Sequence, residues 1–201
     1  MKRALAMALL LSLALAVSSS AFNGKRKGII LGVGFGAAPY IHWSAQVQGV
    51  KFYEDRLGWG INALAGYGLD DRNILAGELN LVAYQSSIFD IGLEQGFGGL
   101  SWYHYFGPQG KSFFSVAGLG WYRFVPAFGT IYINISFDHQ AIQPPFPSGT
   151  PTGTGYLLGG GYEFARHVQA AIYLAWGKPS SEYGQAYSNA QVNLVLTTVA
   201  F

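Results

Sequence analysis

The sequence predicts an all-β fold, an eight-stranded, antiparallel, closed, up-and-down transmembrane β-barrel. Three observations carry this. Only 11% of the 201 residues are charged, where an ordinary soluble domain carries about 25%. Beyond residue 21 no stretch of about 18 apolar residues could cross a bilayer as a helix. Aromatic and glycine residues alternate instead along segments of about ten residues, the length at which a tilted strand spans a membrane. A closed barrel is the strand solution in which every backbone polar group pairs with a neighbour.

The first segment is set apart from the barrel. Lys2 and Arg3 precede an apolar run from residue 4 to 17, and Ser19, Ser20 and Ala21 supply small residues for cleavage. Residues 1–21 are therefore expected to be a cleaved signal peptide, and residues 22–201 the barrel domain. Its removal leaves ten Lys/Arg against ten Asp/Glu, so no basic field remains for nucleic acid. The absence of cysteine removes disulfides, thiolate metal sites and a lipid-anchored N-terminus.

Eight segments follow in order. In residues 28–38, Ile29, Leu31, Val33 and Phe35 share one face, while Gly32, Gly34 and Gly36 share the other. Lys25, Arg26 and Lys27 before it read as a solvated lead-in. Residues 59–69 set Trp59, Ile61, Ala63, Ala65 and Tyr67 against Gly60, Asn62, Leu64 and Gly66, and a turn at residues 70–73 follows. Residues 75–84 place Glu78 on the interior parity. Residues 91–106 are expected to direct Leu93 and Phe97 outward and Glu94 inward, with Gly98 and Gly99 able to hold a parity-reversing bulge.

After a turn at residues 107–110, segment five runs over 112–124 and segment six over 156–164, with Glu163 inward. A turn at residues 165–167 leads to segment seven at 168–176, where Gln169, Ala171, Tyr173 and Ala175 share the interior face. Segment eight spans 191–201. An even strand count places both ends and the short turns on the periplasmic side. Trp59, Tyr84, Tyr156 and Trp176 then fall at the extracellular ends, and Tyr67, Tyr162, Phe164 and Phe201 at the periplasmic ends, as two interfacial girdles require. Long extracellular loops are expected at residues 39–58, 125–155 and 178–189, with a short one at 85–90. The third carries Pro144, Pro145, Pro147 and Pro151, and its residues 130–137 alternate enough to extend a hairpin.

The glycine-alternating first strand, Tyr103-His104-Tyr105-Phe106-Gly107-Pro108 leading into Ala117-Gly118-Leu119-Gly120-Trp121-Tyr122, Gly159-Gly160-Gly161-Tyr162-Glu163-Phe164 and the final Phe201 together resemble the small outer-membrane β-barrel superfamily. That group contains the transmembrane domain of outer-membrane protein A and the attachment-invasion-locus proteins. The resemblance covers residues 26–201. It implies an outer-membrane location in a Gram-negative bacterium, with lipids including lipopolysaccharide around the wall. Val195, Thr197, Val199 and Phe201 resemble the terminal signal read by the barrel-assembly machinery, with Phe201 expected to face lipid at the periplasmic rim.

Glu78, Glu94 and Glu163 on the interior parity need partners, for which Asn62, Asn80, His104, Arg123 and Gln169 are candidates. A polar plug that stabilises a closed barrel is preferred over a proton- or ion-conducting interior, because eight strands leave a lumen that side chains fill. His42, Ser44, Glu54 and Asp55 supply base, nucleophile and orienting acid types in one expected loop. Some small barrels act on lipid A with such groups. Ala45 follows Ser44, however, where the known deacylase pattern has an asparagine. His139 and His167 are read as solvated.

The function expected is structural or surface-interacting: envelope integrity, adhesion or resistance, exercised through the extracellular loops by a monomer. The alternatives are a lipid A-modifying hydrolase or acyltransferase, a narrow channel for small or apolar solutes, and a secreted soluble barrel. No catalytic, cofactor-binding or metal residues are assigned, no cofactor is expected, and the chain is not expected to be an enzyme.

Overall fold

The structure, a computed structural model, describes residues 26–126, 150–181 and 184–201. The expected signal peptide, His139 and most of the third loop, including Pro144, Pro145 and Pro147, lie outside these residues. Eight strands, β1 (Gly28–Val47), β2 (Val50–Gly68), β3 (Asn73–Gln85), β4 (Gly92–Tyr105), β5 (Ser112–Pro126), β6 (Thr152–Ala165), β7 (Val168–Gly177) and β8 (Tyr187–Ala200), pair in sequence order. The barrel closes where β1 meets β8, with Leu31 opposite Ala200 and Ala45 opposite Tyr187. Every pairing is antiparallel, and no edge is left for another chain to extend.

Side-chain parity sorts inside from outside. Ile29, Val33 and Phe35 of β1 are exposed on the wall, whereas Ile30 and Ala38 are buried in the interior. Exposed apolar residues continue around the wall through Leu79, Leu100, Leu119, Leu158, Ile172 and Leu196. This is the apolar-out pattern of a membrane barrel, the inverse of a soluble one. No helix among the described residues is long and apolar enough to cross a membrane.

Several expectations are corrected. Residues 39–58 are not a loop: β1 and β2 continue past a register shift between Ala38 and Ile41 to a two-residue turn at Gln48 and Gly49. Both turn residues have positive φ, 50° and 84°. That is the left-handed geometry whose twist matches the flanking strands.

Parity in β4 is the reverse of that expected. Leu93, Gln95 and Phe97 face inward and Glu94 faces outward, with one unbroken register from Leu93 to Tyr105 and no bulge at Gly98 and Gly99. The cause is space. On the wall the Trp121 ring lies over Gly98, where a Cβ would come 2.7 Å from it. Inside, the Phe97 ring lies over Gly99 and Gly118, whose added Cβ atoms would approach it to 2.8 and 3.0 Å.

Phe201 does not face lipid. It shares the inward parity of Val195, Thr197 and Val199, is 1% exposed, and its ring lies 4.7 Å from that of His167. Tyr84 likewise leaves the expected outer girdle and is buried inside. Trp59, Trp121 and Tyr156 stay exposed at the upper rim, with Trp176 stacked on Tyr156, and Tyr67, Trp102, Phe106, Phe113 and Phe164 are exposed at the lower one.

Candidate functional site

Among the described residues, side chains on the inward parity pack the interior at each level. At the mouth ringed by the β2–β3 and β4–β5 turns Arg26 pairs with Glu163, and both are buried. Tyr105 Oη donates to Gln169 Oε1 at 2.8 Å just above, where the lower core cluster begins with Phe114, Val199 and Phe201. At mid-height Asn62 Nδ2 donates to Glu78 Oε1 at 2.7 Å, and the hydroxyls of Tyr103 and Tyr173 meet.

Higher still, a polar layer crosses the lumen. Asn193 Nδ2 and Gln191 Nε2 both donate to Asn80 Oδ1. Tyr122 Oη donates to Gln191 Oε1 at 2.7 Å, Gln95 Nε2 donates to Tyr122 Oη at 3.0 Å, and Asn189 Nδ2 donates to Gln95 Oε1 at 2.7 Å. These bonds join β8 to β3 and β4 across the lumen.

At the opposite mouth lies a second apolar cluster that includes Ile41, Trp43, Tyr84, Leu93, Phe124 and Tyr187. The β3–β4 loop contributes Phe89, stacked on Trp43 with ring centroids 5.3 Å apart. One buried carboxylate holds this loop. Glu54 accepts from Trp43 Nε1 (3.0 Å), Ser86 Oγ (2.7 Å), Ser87 N (2.6 Å) and Ser87 Oγ (3.0 Å), and pairs with Arg56. Glu54 lies on the hairpin extension, above Trp59 and outside the membrane-spanning part of β2. Burial pushes its carboxyl up, but the hydrogen bonds from Ser86, Trp43 and Ser87 outweigh this and hold it below its ordinary 4.5.

Of the interior acids expected from sequence, Glu78 and Glu163 are inside. Glu94 is on the wall, paired with Arg123. Asn62 is a partner of Glu78 as expected, and Asn80 and Gln169 join the interior network through other residues. His104 faces outward and bonds Asn73 Oδ1 at 2.9 Å. His167, read as solvated, sits in the turn before β7 with its Nδ1 2.9 Å from the carbonyl of Val199. Sequence reasoning missed Arg26 and Glu54. The first was read as part of a solvated lead-in, although a cation beside a strand start is the nearest counter-charge to interior Glu163. The second was grouped with Asp55, although strand parity separates the two.

The residues of the expected loop-one constellation come partly together. His42 Nδ1 lies 2.7 Å from Asp55 Oδ1 across the β1–β2 ladder, on the outward face. Ser44 is two residues along the same face, but no hydrogen bond joins it to His42 among the described residues. The His42 ring stacks on Tyr40 with planes 7° apart. Glu54 points inward and is fully used. Among the described residues no group of three or more His, Asp or Glu gathers at metal-binding distance.

No protein-family profile matches the chain, and no curated protein matches it. Solved structures do. Neisserial surface protein A is 16% identical with a TM-score of 0.52, over 87% of this chain and 97% of that one. The attachment invasion locus protein of Yersinia pestis is 11% identical with a TM-score of 0.46, over 85% and 99%. The N-terminal barrel of Pseudomonas aeruginosa OprF is 19% identical with a TM-score of 0.40, over 84% and 98%. The likeness to Neisserial surface protein A concerns architecture alone, and it agrees with the strand order above: the chain has the fold of a small eight-stranded outer-membrane β-barrel.

Proposed function

We propose that this protein is an anchor in the outer membrane of a Gram-negative bacterium that acts at the cell surface as a monomer, in envelope integrity, adhesion or resistance, without catalysis. The observation that carries this reading is the filled lumen combined with a β1–β2 hairpin that rises well above the upper aromatic rim. Side chains bonded across the interior argue against transport through the barrel. What remains available is the surface raised above the membrane. Lipopolysaccharide is the lipid proposed to surround the upper wall, and the barrel-assembly machinery is the proposed partner during biogenesis.

The test replaces residues 42–55 with a short turn and compares that strain with wild type and a deletion strain for surface attachment and detergent sensitivity. A trimmed strain that behaves like the deletion, with the barrel still assembled, is the expected result. Wild-type behaviour from the trimmed strain contradicts the reading. A conductance in planar bilayers would favour the channel alternative.

One observation favours a second reading, a lipid A-modifying hydrolase: the His42–Asp55 bond with Ser44 on the same wall face. Mass spectrometry of lipid A from Ser44→Ala, deletion and wild-type strains separates the two. Identical lipid A in all three removes the enzyme reading.

A further inference from the structure

The mouth ringed by the β2–β3 and β4–β5 turns is built around a cation that does not come from the barrel wall. Arg26 stands two residues before β1, and Gly28, at φ +105°, turns the chain so that the side chain enters the lumen. Its Nη1 donates to the carbonyls of Asp71 (3.1 Å) and Gly107 (3.2 Å), and its Nη2 to the carbonyl of Pro108 (3.4 Å) and to Glu163. The guanidinium carbon lies 3.9 Å from the centroid of the Tyr105 ring.

All these partners belong to elements other than the lead-in that carries Arg26. Asp71 belongs to the β2–β3 turn, Gly107 and Pro108 to the β4–β5 turn, Tyr105 to β4 and Glu163 to β6. The Glu163 carboxylate is oriented by a separate donor, the Gly110 N–H, at 2.8 Å. β2 is also cut back to admit the lead-in: a Cβ at Gly68 would lie 1.7 Å from the Arg26 carbonyl oxygen. Acceptors on both Nη atoms, a carboxylate among them, and an aromatic face together suit a planar guanidinium and suit a compact ammonium poorly, while Nε has no hydrogen-bond partner among the described residues.

We propose that this mouth is a guanidinium-recognition site, filled in this chain by its own Arg26, and that it takes a small guanidinium cation from solution when the Arg26 side chain is removed. Arg26 is thus an internal ligand on a tether, and the site is specific for the fork of donors in addition to the charge.

Chemical rescue tests this on the detergent-solubilised barrel. Arg26→Ala is expected to melt below wild type, and millimolar methylguanidinium to raise its melting temperature saturably, as binding to the folded state alone does. Methylammonium is expected to give no such shift. Wild type, with its site occupied, and the double variant Arg26→Ala/Glu163→Gln are expected to respond to neither. Equal rescue by methylammonium, rescue that survives loss of Glu163, or no saturable shift in Arg26→Ala would each overturn the proposal. If Arg26→Ala does not hold its fold, the folding yield with each cation present replaces the melting temperature, with the same expected and contrary results.

Discussion

At the scale of single residues, glycines decide where each large side chain can go. Gly99 and Gly77 illustrate the two cases on neighbouring strands. A Cβ at Gly99 would meet the Leu119 carbonyl at 2.5 Å and the Phe97 ring at 2.8 Å, whereas one at Gly77 would meet only the Ala65 carbonyl, at 3.7 Å. Gly99→Ala is therefore expected to destabilise the barrel by about 1–3 kcal/mol through overpacking. Gly77→Ala is expected to change stability by less than about 0.5 kcal/mol. Urea unfolding of the two variants in detergent checks the contrast. Such contacts lie between strands, so the sequence alone showed where glycines stood but not which ring would cover each one. β4 shows this: Leu93 and Phe97 suggest an outward face and Glu94 an inward one, whereas the rings that cover Gly98 and Gly99 lie on opposite faces and go with the reverse parity.

At the scale of elements, the β1–β2 hairpin and the β3–β4 loop work as one cap. The strands of the membrane zone were legible, because glycine and apolar residues alternate cleanly in residues 28–38 and 59–69. The hairpin extension was not. Pro39 and a Gln-Gly turn without the usual Asn or Asp obscured it, and the residues that make it a strand answer to partners on β8 and in the β3–β4 loop. Glu54 is the clearest example, since its inward direction follows only once the hairpin register exists. With a folded-state pKa below the ordinary 4.5, Glu54 stabilises the closed cap at pH values above that ordinary value. This contribution falls away as pH drops through the folded-state value. Near-UV circular dichroism from the Trp43–Phe89 stack is expected to fade over that acid range in wild type. In Glu54→Gln the loss of charge-assisted bonds, about 2 kcal/mol, is expected to weaken the signal even at neutral pH. A neutral-pH signal equal to wild type, with unchanged acid behaviour, would mean that Glu54 does not hold the loop.

At the scale of the whole molecule, the amino-acid pattern already pointed to a closed barrel with apolar residues outside and a lumen that side chains fill. Which side chains would close its two mouths was hidden, because Arg26 and Phe89 stand outside the strands that periodicity can detect. The account rests centrally on the wall facing lipid and the interior being filled, and the absence of cysteine permits a direct measurement. Spin labels attached singly through introduced cysteines along β4 of the bilayer-reconstituted protein report collisions with oxygen and with a water-soluble nickel chelate. Positions 100 and 102 are predicted to be oxygen-accessible and nickel-protected, with 101 and 103 shielded from both. Nickel access at 100 and 102 would contradict a lipid-facing wall, and nickel access at 101 and 103 would contradict a filled lumen.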